Sequence, residues 1–382
     1  MGCQGSIVEK SVEMAVKSQP VPRDFHRDYT IEQKIGQGAF GSVYAARANA
    51  GVTGACHAAV MVIDLRSQGY NCDRPQRLHP GVVAEVAILR ALPKSINIVQ
   101  FHDCYISEGF LYMVMERCDS GLVRALEGMR DLTERTLQPV FRDMLSAITT
   151  CHTMGIVHRD VKPDNFLATP VGGGLIVKLC DFGVSSRGGS AEAAELEGLF
   201  GTPPYMAPEM LSGSRYGAKV DVWALGVLAY VLLFGAWPYT PSARSGTAMK
   251  AAILRGCPAP RFRGQEGVPD VSRQCVEWVQ ALLRRSVVAR PSARAALKLY
   301  SFAAEWRSGP CLRPALDSAK RCGALNAGAA RPPTDLDRLL LGSARLMAQM
   351  NAAGQGDGST PECDGKPWGW ISDASTAASP RL

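Results

Sequence analysis

At 382 residues the chain exceeds the roughly 100–200 residues of an ordinary domain, so one large or two ordinary domains are expected. Apolar residues at 46% and charged residues at 20% suit a chain that buries a core, which excludes a mostly disordered or fibrous protein. A net charge of +7 is mild for this length and points away from a dedicated nucleic-acid binder, which would cluster Lys and Arg on one face.

In chain order, residues 1–28 read as an N-terminal tail ending at the breaker Pro20-Val21-Pro22. Its start, Met1-Gly2-Cys3-Gln4-Gly5-Ser6, fits M-G-x-x-x-[ST], the pattern for myristoylation of Gly2, with Cys3 placed for palmitoylation. Two acyl chains would tether the chain to a membrane surface, whereas one binds only marginally and Lys10, Lys17 and Arg23 make a poor basic patch. The alternative is an ordinary, unmodified N-terminus. Short strands are expected at Tyr29 to Gly36, Ser42 to Arg47 and His57 to Leu65, each rich in apolar or β-branched residues and separated by Gly-containing turns. A helix is expected over Gly81 to Leu92, with Val82, Val83, Val86, Ile88 and Leu89 as its apolar stripe. Two more strands, Ile98 to Ile106 and Leu111 to Met115, are joined by a turn at Ser107-Glu108-Gly109. Helical periodicity dominates beyond Leu122, so a small β-rich part precedes a larger helical one.

Past Phe302 the composition shifts to Ala, Gly, Ser and Pro, and residues 303–382 read as a tail of low order. Within it a helix is expected near 335–353, where Leu336, Leu339, Leu340, Leu346, Met347 and Met350 share one face, with Thr334 and Asp337 as a capping box and Gly354 as the stop. Its charges cancel, unlike the basic helices that calmodulin prefers, so calmodulin binding stays an open question. The twelve cysteines form no C-x-x-C pair, which argues against a zinc site or a disulfide framework and for buried thiols in a reducing compartment. With no secretory signal in the first thirty residues, a cytoplasmic chain is expected, attached to a membrane only through Gly2 and Cys3.

Gly36-Gln37-Gly38-Ala39-Phe40-Gly41-Ser42-Val43 is G-x-G-x-x-G-x-V set between two strands. Glycines let main-chain N–H groups approach phosphate oxygens, and Val43 can lie against a base. By itself the string equally describes a Gly-rich hairpin turn; because it opens no helix, it is not a Rossmann loop. His158-Arg159-Asp160-Val161-Lys162-Pro163-Asp164-Asn165, then Asp181-Phe182-Gly183 and Ala207-Pro208-Glu209, are far more specific. With Glu85, Asp221 to Gly226 and Arg290 in the same order, Tyr29 to Phe302 resembles the eukaryotic protein kinase family.

That resemblance implies an α+β, bilobal fold: a small β-rich N-lobe with one helix and a large, mainly helical C-lobe over residues 29–302. It implies ATP and Mg²⁺ as cofactors and a protein as substrate. Asp160 would accept the proton of the substrate hydroxyl, Lys162 would steady the transferred phosphoryl group, and Asn165 and Asp181 would hold Mg²⁺. Ile35, Gly36, Gly38, Gly41, Val43, Ala59, Met61, Glu116, Cys118 and Leu167 fall at nucleotide-contact positions. In the family, the arginine matching Arg290 pairs with the glutamate matching Glu209. Lys162 together with Thr202 of Gly201-Thr202-Pro203 looks like the serine/threonine branch. Cys151 to Val157 and Asp221 to Tyr239 look like the calcium/calmodulin-dependent and calcium-dependent kinases, although no EF-hand pattern D-x-[DN]-x-[DN]-G is present.

Three positions depart from the family or await a partner. The third strand reads Ala59-Val60-Met61, so Met61 stands where the family carries the lysine that anchors the α/β-phosphates and pairs with Glu85. Loss of that charged donor is expected to cost at least about 10²-fold in rate, and neither Arg47 nor Lys34 is a convincing replacement by strand parity. The alternative function is therefore a catalytically impaired pseudokinase, a nucleotide-binding scaffold or regulator. Leu122 replaces a glutamate that in relatives helps hold ribose or a basic substrate residue. Arg159, finally, seeks an anion: phosphate on Ser185, Ser186 or Ser190, or more simply the carboxylate of Glu195 or Glu197.

Overall fold

The computed structural model describes residues 24–38, 41–52, 56–66, 80–188, 195–241, 243, 245–264, 266–302 and 309–325. Gly2, Cys3, Ser190 and the helix expected near 335–353 lie outside the described residues.

The N-lobe is an antiparallel sheet of β1 (Tyr29–Gln37), β2 (Ser42–Ala48), β3 (His57–Asp64), β4 (Phe101–Ser107) and β5 (Phe110–Glu116), in spatial order β1-β2-β3-β5-β4. Alternation along β3 sorts its side chains onto two faces. Ala58, Val60 and Val62 pack with Tyr44, Tyr112 and Val114 on one side, and Met61, Ile63 and Leu65 pack against the helix α2 (Pro80–Ala91) on the other. Val82, Val83, Val86, Ile88 and Leu89 of α2 are all buried, as their spacing predicts. Glu85 lies on the same buried side of that helix.

The outer face is closed by a one-turn helix, α1 (Phe25–Asp28), too short to show any apolar stripe in sequence. Asp24 caps it by accepting the His26 N–H at 3.0 Å. The buried Phe25 ring stacks on Tyr112 with centroids 4.1 Å apart and meets Tyr105 edge-on at 5.7 Å. The packed unit therefore begins before the expected boundary at Tyr29. We predict that Phe25→Ala lowers stability by about 3–5 kcal/mol, read from urea unfolding; a loss under about 1 kcal/mol would show that α1 is dispensable.

Ile98 also departs from expectation, because residues 97–99 leave the sheet and clamp the larger lobe instead. Val99 N–H donates to Leu179 O at 3.0 Å, Leu179 N–H to Asn97 O at 2.9 Å, and the Asn97 amide to Val177 O at 3.0 Å. The strand proper starts only at Phe101.

The C-lobe carries β6 (Ser120–Gly121), α3 (Leu122–Gly128), α4 (Glu134–Thr153), β7 (Ile156–Val157), β8 (Phe166–Val171), β9 (Gly174–Leu179), β10 (Ser186–Arg187), α5 (Pro208–Leu211), α6 (Lys219–Phe234), α7 (Gly246–Arg255), α8 (Arg273–Leu282) and α9 (Ala293–Phe302). Every residue of α6 from Val220 to Phe234 is buried, and a helix apolar all round is the centre of a lobe. Among the described residues, no helix is long and apolar enough to cross a membrane. A further helix, α10 (Arg313–Arg321), lies beyond the boundary expected at residue 302. Leu312, Ala315, Leu316 and Ala319 are buried in the same core as α6, and Arg313 donates to the carbonyls of Glu127 and Met129 at the end of α3.

Candidate active site

The loop from His158 to Asn165 leaves β7 and ends in a 3₁₀ turn, Pro163–Asn165. It is hung from one buried carboxylate, Asp221, at the start of α6. The Asp221 oxygens accept the N–H groups of His158 at 2.9 Å and Arg159 at 2.8 Å, and lie 2.8 Å from His152 Nε2. Burial alone would raise the Asp221 carboxyl; the His152 contact and the main-chain donors overcome it and hold the group below its usual value of 3.8. Arg159, so tethered, sits at φ 67°, and Asp181 sits at φ 61°. Both are left-handed conformations that a non-glycine residue adopts only under constraint from its surroundings.

Asp160 is held on both oxygens. Thr202 Oγ1 donates to Oδ1 at 2.8 Å, Lys162 Nζ lies 2.8 Å from Oδ2, and Lys162 also donates to Thr202 at 2.9 Å. The Asn165 amide donates to the Asp160 carbonyl at 2.8 Å, which leaves its own carbonyl oxygen as a ligand atom. Asp181 Oδ1 accepts the Gly183 N–H at 3.2 Å, leaving Oδ2 available. A carboxylate and an amide oxygen are hard donors of the kind Mg²⁺ takes, and the Cys180 N–H bond to Asn165 O at 2.9 Å brings their two stretches of backbone together.

The Gly-rich turn closes through Gly38 N–H to Gly41 O at 2.8 Å. A Cβ at Gly41 would stand 2.1 Å from Val62 O, so the turn lies flat on β3 and admits no side chain there. A Cβ at Gly38 would meet the Met61 methyl at 2.6 Å, which puts the end of the Met61 side chain directly beneath the turn. The flat turn fits a phosphate cradle, and the Asn165 and Asp181 oxygens fit Mg²⁺ as donors.

Residues 29–301 match the protein kinase domain family. The chain belongs to it. Its relatives include CDPK-related kinase 7 of Arabidopsis thaliana, 33% identical over 283 residues, which cover 72% of this chain and 46% of that protein. Calcium/calmodulin-dependent serine/threonine-protein kinase 1 of Oryza sativa subsp. japonica is also 33% identical over 283 residues, covering 72% and 44% respectively. Calcium-dependent protein kinase 3 of the same rice is 36% identical over 215 residues, covering 56% and 38%. This kinase chain thus spans under half the length of the curated relatives it matches.

The expected nucleotide residues fall on both parts of the two-lobed kinase fold. Val43 pairs across the sheet with Met61, and Ala59 with Ala45 and Met115, while Gly36 opposes Val43. Ile35 is exposed at the rim, and Leu167 opposes Lys178 on the floor. Glu116 ends β5 and Cys118 lies in the connection after it, the Cys118 thiol pushed up to about 11, chiefly by burial. Glu116 spends its carboxylate on Lys178 at 3.0 Å. Lys178 is thus a buried cation that sequence reasoning missed, because nothing local distinguishes it from a solvated strand lysine. Arg47 is no substitute for the missing lysine, since its side chain is 62% exposed and paired with Glu32.

The expected Arg159 partners are corrected. Glu197 pairs with Arg215 at 2.7 Å. Among the described residues Arg159 meets no carboxylate: its Nε donates to Val184 O at 2.6 Å, and its guanidinium lies 4.0 Å from the centre of the Phe200 ring. An aromatic face and a carbonyl satisfy it, a solution that charge counting in sequence cannot find.

Expectation and structure agree on Met61 and Glu85, with a sharper consequence. Met61 is buried, and Glu85, 2% exposed, keeps Oε2 without a hydrogen-bond partner among the described residues. Burial first and the Asp181 charge second push the Glu85 carboxyl up from 4.5 to about 8, against the Phe182 N–H, which lowers it. A raised value means that the folded chain keeps a proton the unfolded chain has lost. Stability is therefore fully present below pH 4.5 and falls as pH rises to about 8. We predict that in metal-free buffer Glu85→Gln flattens this decline and is the more stable protein at pH 8, measured by urea titration; equal slopes in both chains would contradict it.

Proposed function

We propose that this kinase chain transfers the γ-phosphoryl group of ATP to serine or threonine hydroxyls of a protein substrate, at a rate held down by Met61. The observation that carries the reading is the intact acid loop: Asp160 fixed on both oxygens by Lys162 and Thr202, with Asn165 alongside. So oriented, Asp160 accepts the hydroxyl proton, while Lys162 sits where it can neutralise the transferred group. Mg²⁺, held by Asn165 and Asp181, would spread charge over the phosphates. The names of the relatives support the serine/threonine class.

A second reading, a nucleotide-binding scaffold, is favoured by Met61 and by Glu85, whose Oε2 has no partner among the described residues. The test is incorporation of labelled γ-phosphate into generic Ser/Thr peptides by the purified chain. We predict measurable incorporation that Asp160→Asn abolishes, together with a thermal shift on adding ATP–Mg²⁺. A shift without incorporation establishes the scaffold, and neither overturns both readings. Acylation of Gly2 and Cys3, with membrane attachment of a cytoplasmic chain, is a further part of the proposal, supported by the N-terminal pattern.

A further inference from the structure

A carboxyl group removed from water with no cation and no complete set of donors is costly, and in proteins such groups are paired, protonated or bound to metal. Glu85 has lost the lysine that its position is built to meet, because Met61 offers a thioether instead. Among the described residues its Oε2 hydrogen-bonds to nothing, although the residue is almost fully buried. The carboxyl also faces the Phe182 N–H, the main-chain group next to Asp181, and is close enough to Asp181 for that charge to act on it. The Asp181 charge therefore reaches a carboxyl that keeps a buried oxygen unused among the described residues.

We propose that Glu85 and Asp181 together take a divalent cation, which supplies the counter-charge that a lysine at position 61 would otherwise provide. The inference rests on the reading of Asp181 as a metal ligand and adds Glu85 to it. Among the described residues no group of three His, Cys, Asp or Glu could hold a metal, so this is a two-carboxylate site completed by water or by phosphate oxygens. That is the donor set of hard, six-coordinate ions such as Mg²⁺ and Mn²⁺. Met61 contributes by subtraction: a neutral side chain leaves Glu85 free for the metal and places no positive charge beside it.

The probe is Mn²⁺ alone, without nucleotide, titrated into the full chain and followed by loss of the free-ion EPR signal. The parent is expected to bind one Mn²⁺, with affinity weakened at least about 10-fold in Glu85→Gln. Met61→Lys should weaken it comparably, because the new ammonium engages Glu85 and repels the ion. Asp181→Asn should weaken it too. If Glu85→Gln binds Mn²⁺ as tightly as the parent while Asp181→Asn does not, the metal rests on Asp181 without Glu85 and the proposal fails. Unchanged affinity in Met61→Lys overturns it as well, as does absence of binding by the parent at millimolar Mn²⁺. The ATP–Mg²⁺ thermal shift separates these failures from failure of the kinase reading, because it reports the nucleotide cleft whether or not Glu85 binds metal. Glu85→Gln removes a buried acid and keeps the side-chain shape; should it nevertheless unfold, Met61→Lys still decides the question.

Discussion

Replacing Met61 with lysine raises the rate of phosphoryl transfer by at least about 10²-fold, the typical effect of one preorganised charged donor in a water-excluded site. Met61 sits on β3 between Val43 and Met113, with its methyl group under the Gly38 turn and α2 across from it. Lysine is unbranched like methionine and only slightly longer, so the substitution asks little of the packing. It delivers an ammonium to the point where Glu85 waits with an unpaired oxygen. Glu85 then ionises, the pair forms, and the remaining ammonium protons are available to phosphate oxygens. Initial rates with saturating peptide, compared with the parent and with Met61→Lys/Asp160→Asn, check this. A Met61→Lys chain no faster than the parent would mean that some other group already performs the lysine's task. The same substitution should remove the decline in stability between pH 4.5 and 8, because Glu85 no longer keeps its proton in the folded state.

What could be read in the sequence, and what could not, divides along a physical line. Residues whose chemistry the proposed function would use, such as Asp160, Lys162, Asn165 and Asp181, occur in strings too specific to misplace, and the fold then puts Thr202 against Asp160 across 42 positions of chain and against Lys162 across 40. The family resemblance likewise put Met61 and Ala59 at third-strand positions, and both lie on β3. Partnerships decided by long-range geometry were less legible. Arg159 finds Phe200 and Val184 rather than Glu195 or Glu197, because Arg215 has already taken Glu197. Phe25 and Leu312 lie in stretches whose composition suggests tails, yet both are buried, because one aromatic ring in the first and one short apolar helix face in the second are enough to dock on a lobe already formed. Ile98 has the residue type of a strand but bridges Leu179, because its neighbours Asn97 and Val99 bond the Leu179 backbone before the sheet begins, while its own N–H donates to Ser95 O.

The second large effect falls on Asp221. Its carboxylate accepts two main-chain N–H groups and contacts His152, all in a site 1% exposed to solvent. In Asp221→Asn the amide oxygen can serve some of these partners, but the new NH₂ turns a donor toward another, leaving a buried N–H unsatisfied. Removing one member of a buried charged network costs about 3–5 kcal/mol, a large share of the roughly 5–15 kcal/mol that holds a typical domain together. Urea unfolding measures it directly, and a loss below about 1 kcal/mol would contradict the assignment. The acid side adds a second signature. Because the Asp221 carboxyl is held below its usual 3.8, its contribution is present above that value and disappears as pH falls through the lower, folded one. The Asn variant, which has no proton to take up, should therefore lose less stability than the parent below pH 3.8. The loop should loosen as well, because the Arg159 N–H is one of the bonds holding that residue at φ 67°. Once Arg159 can relax, Asp160 loses its fixed direction, so residual phosphoryl transfer should fall even in molecules that remain folded.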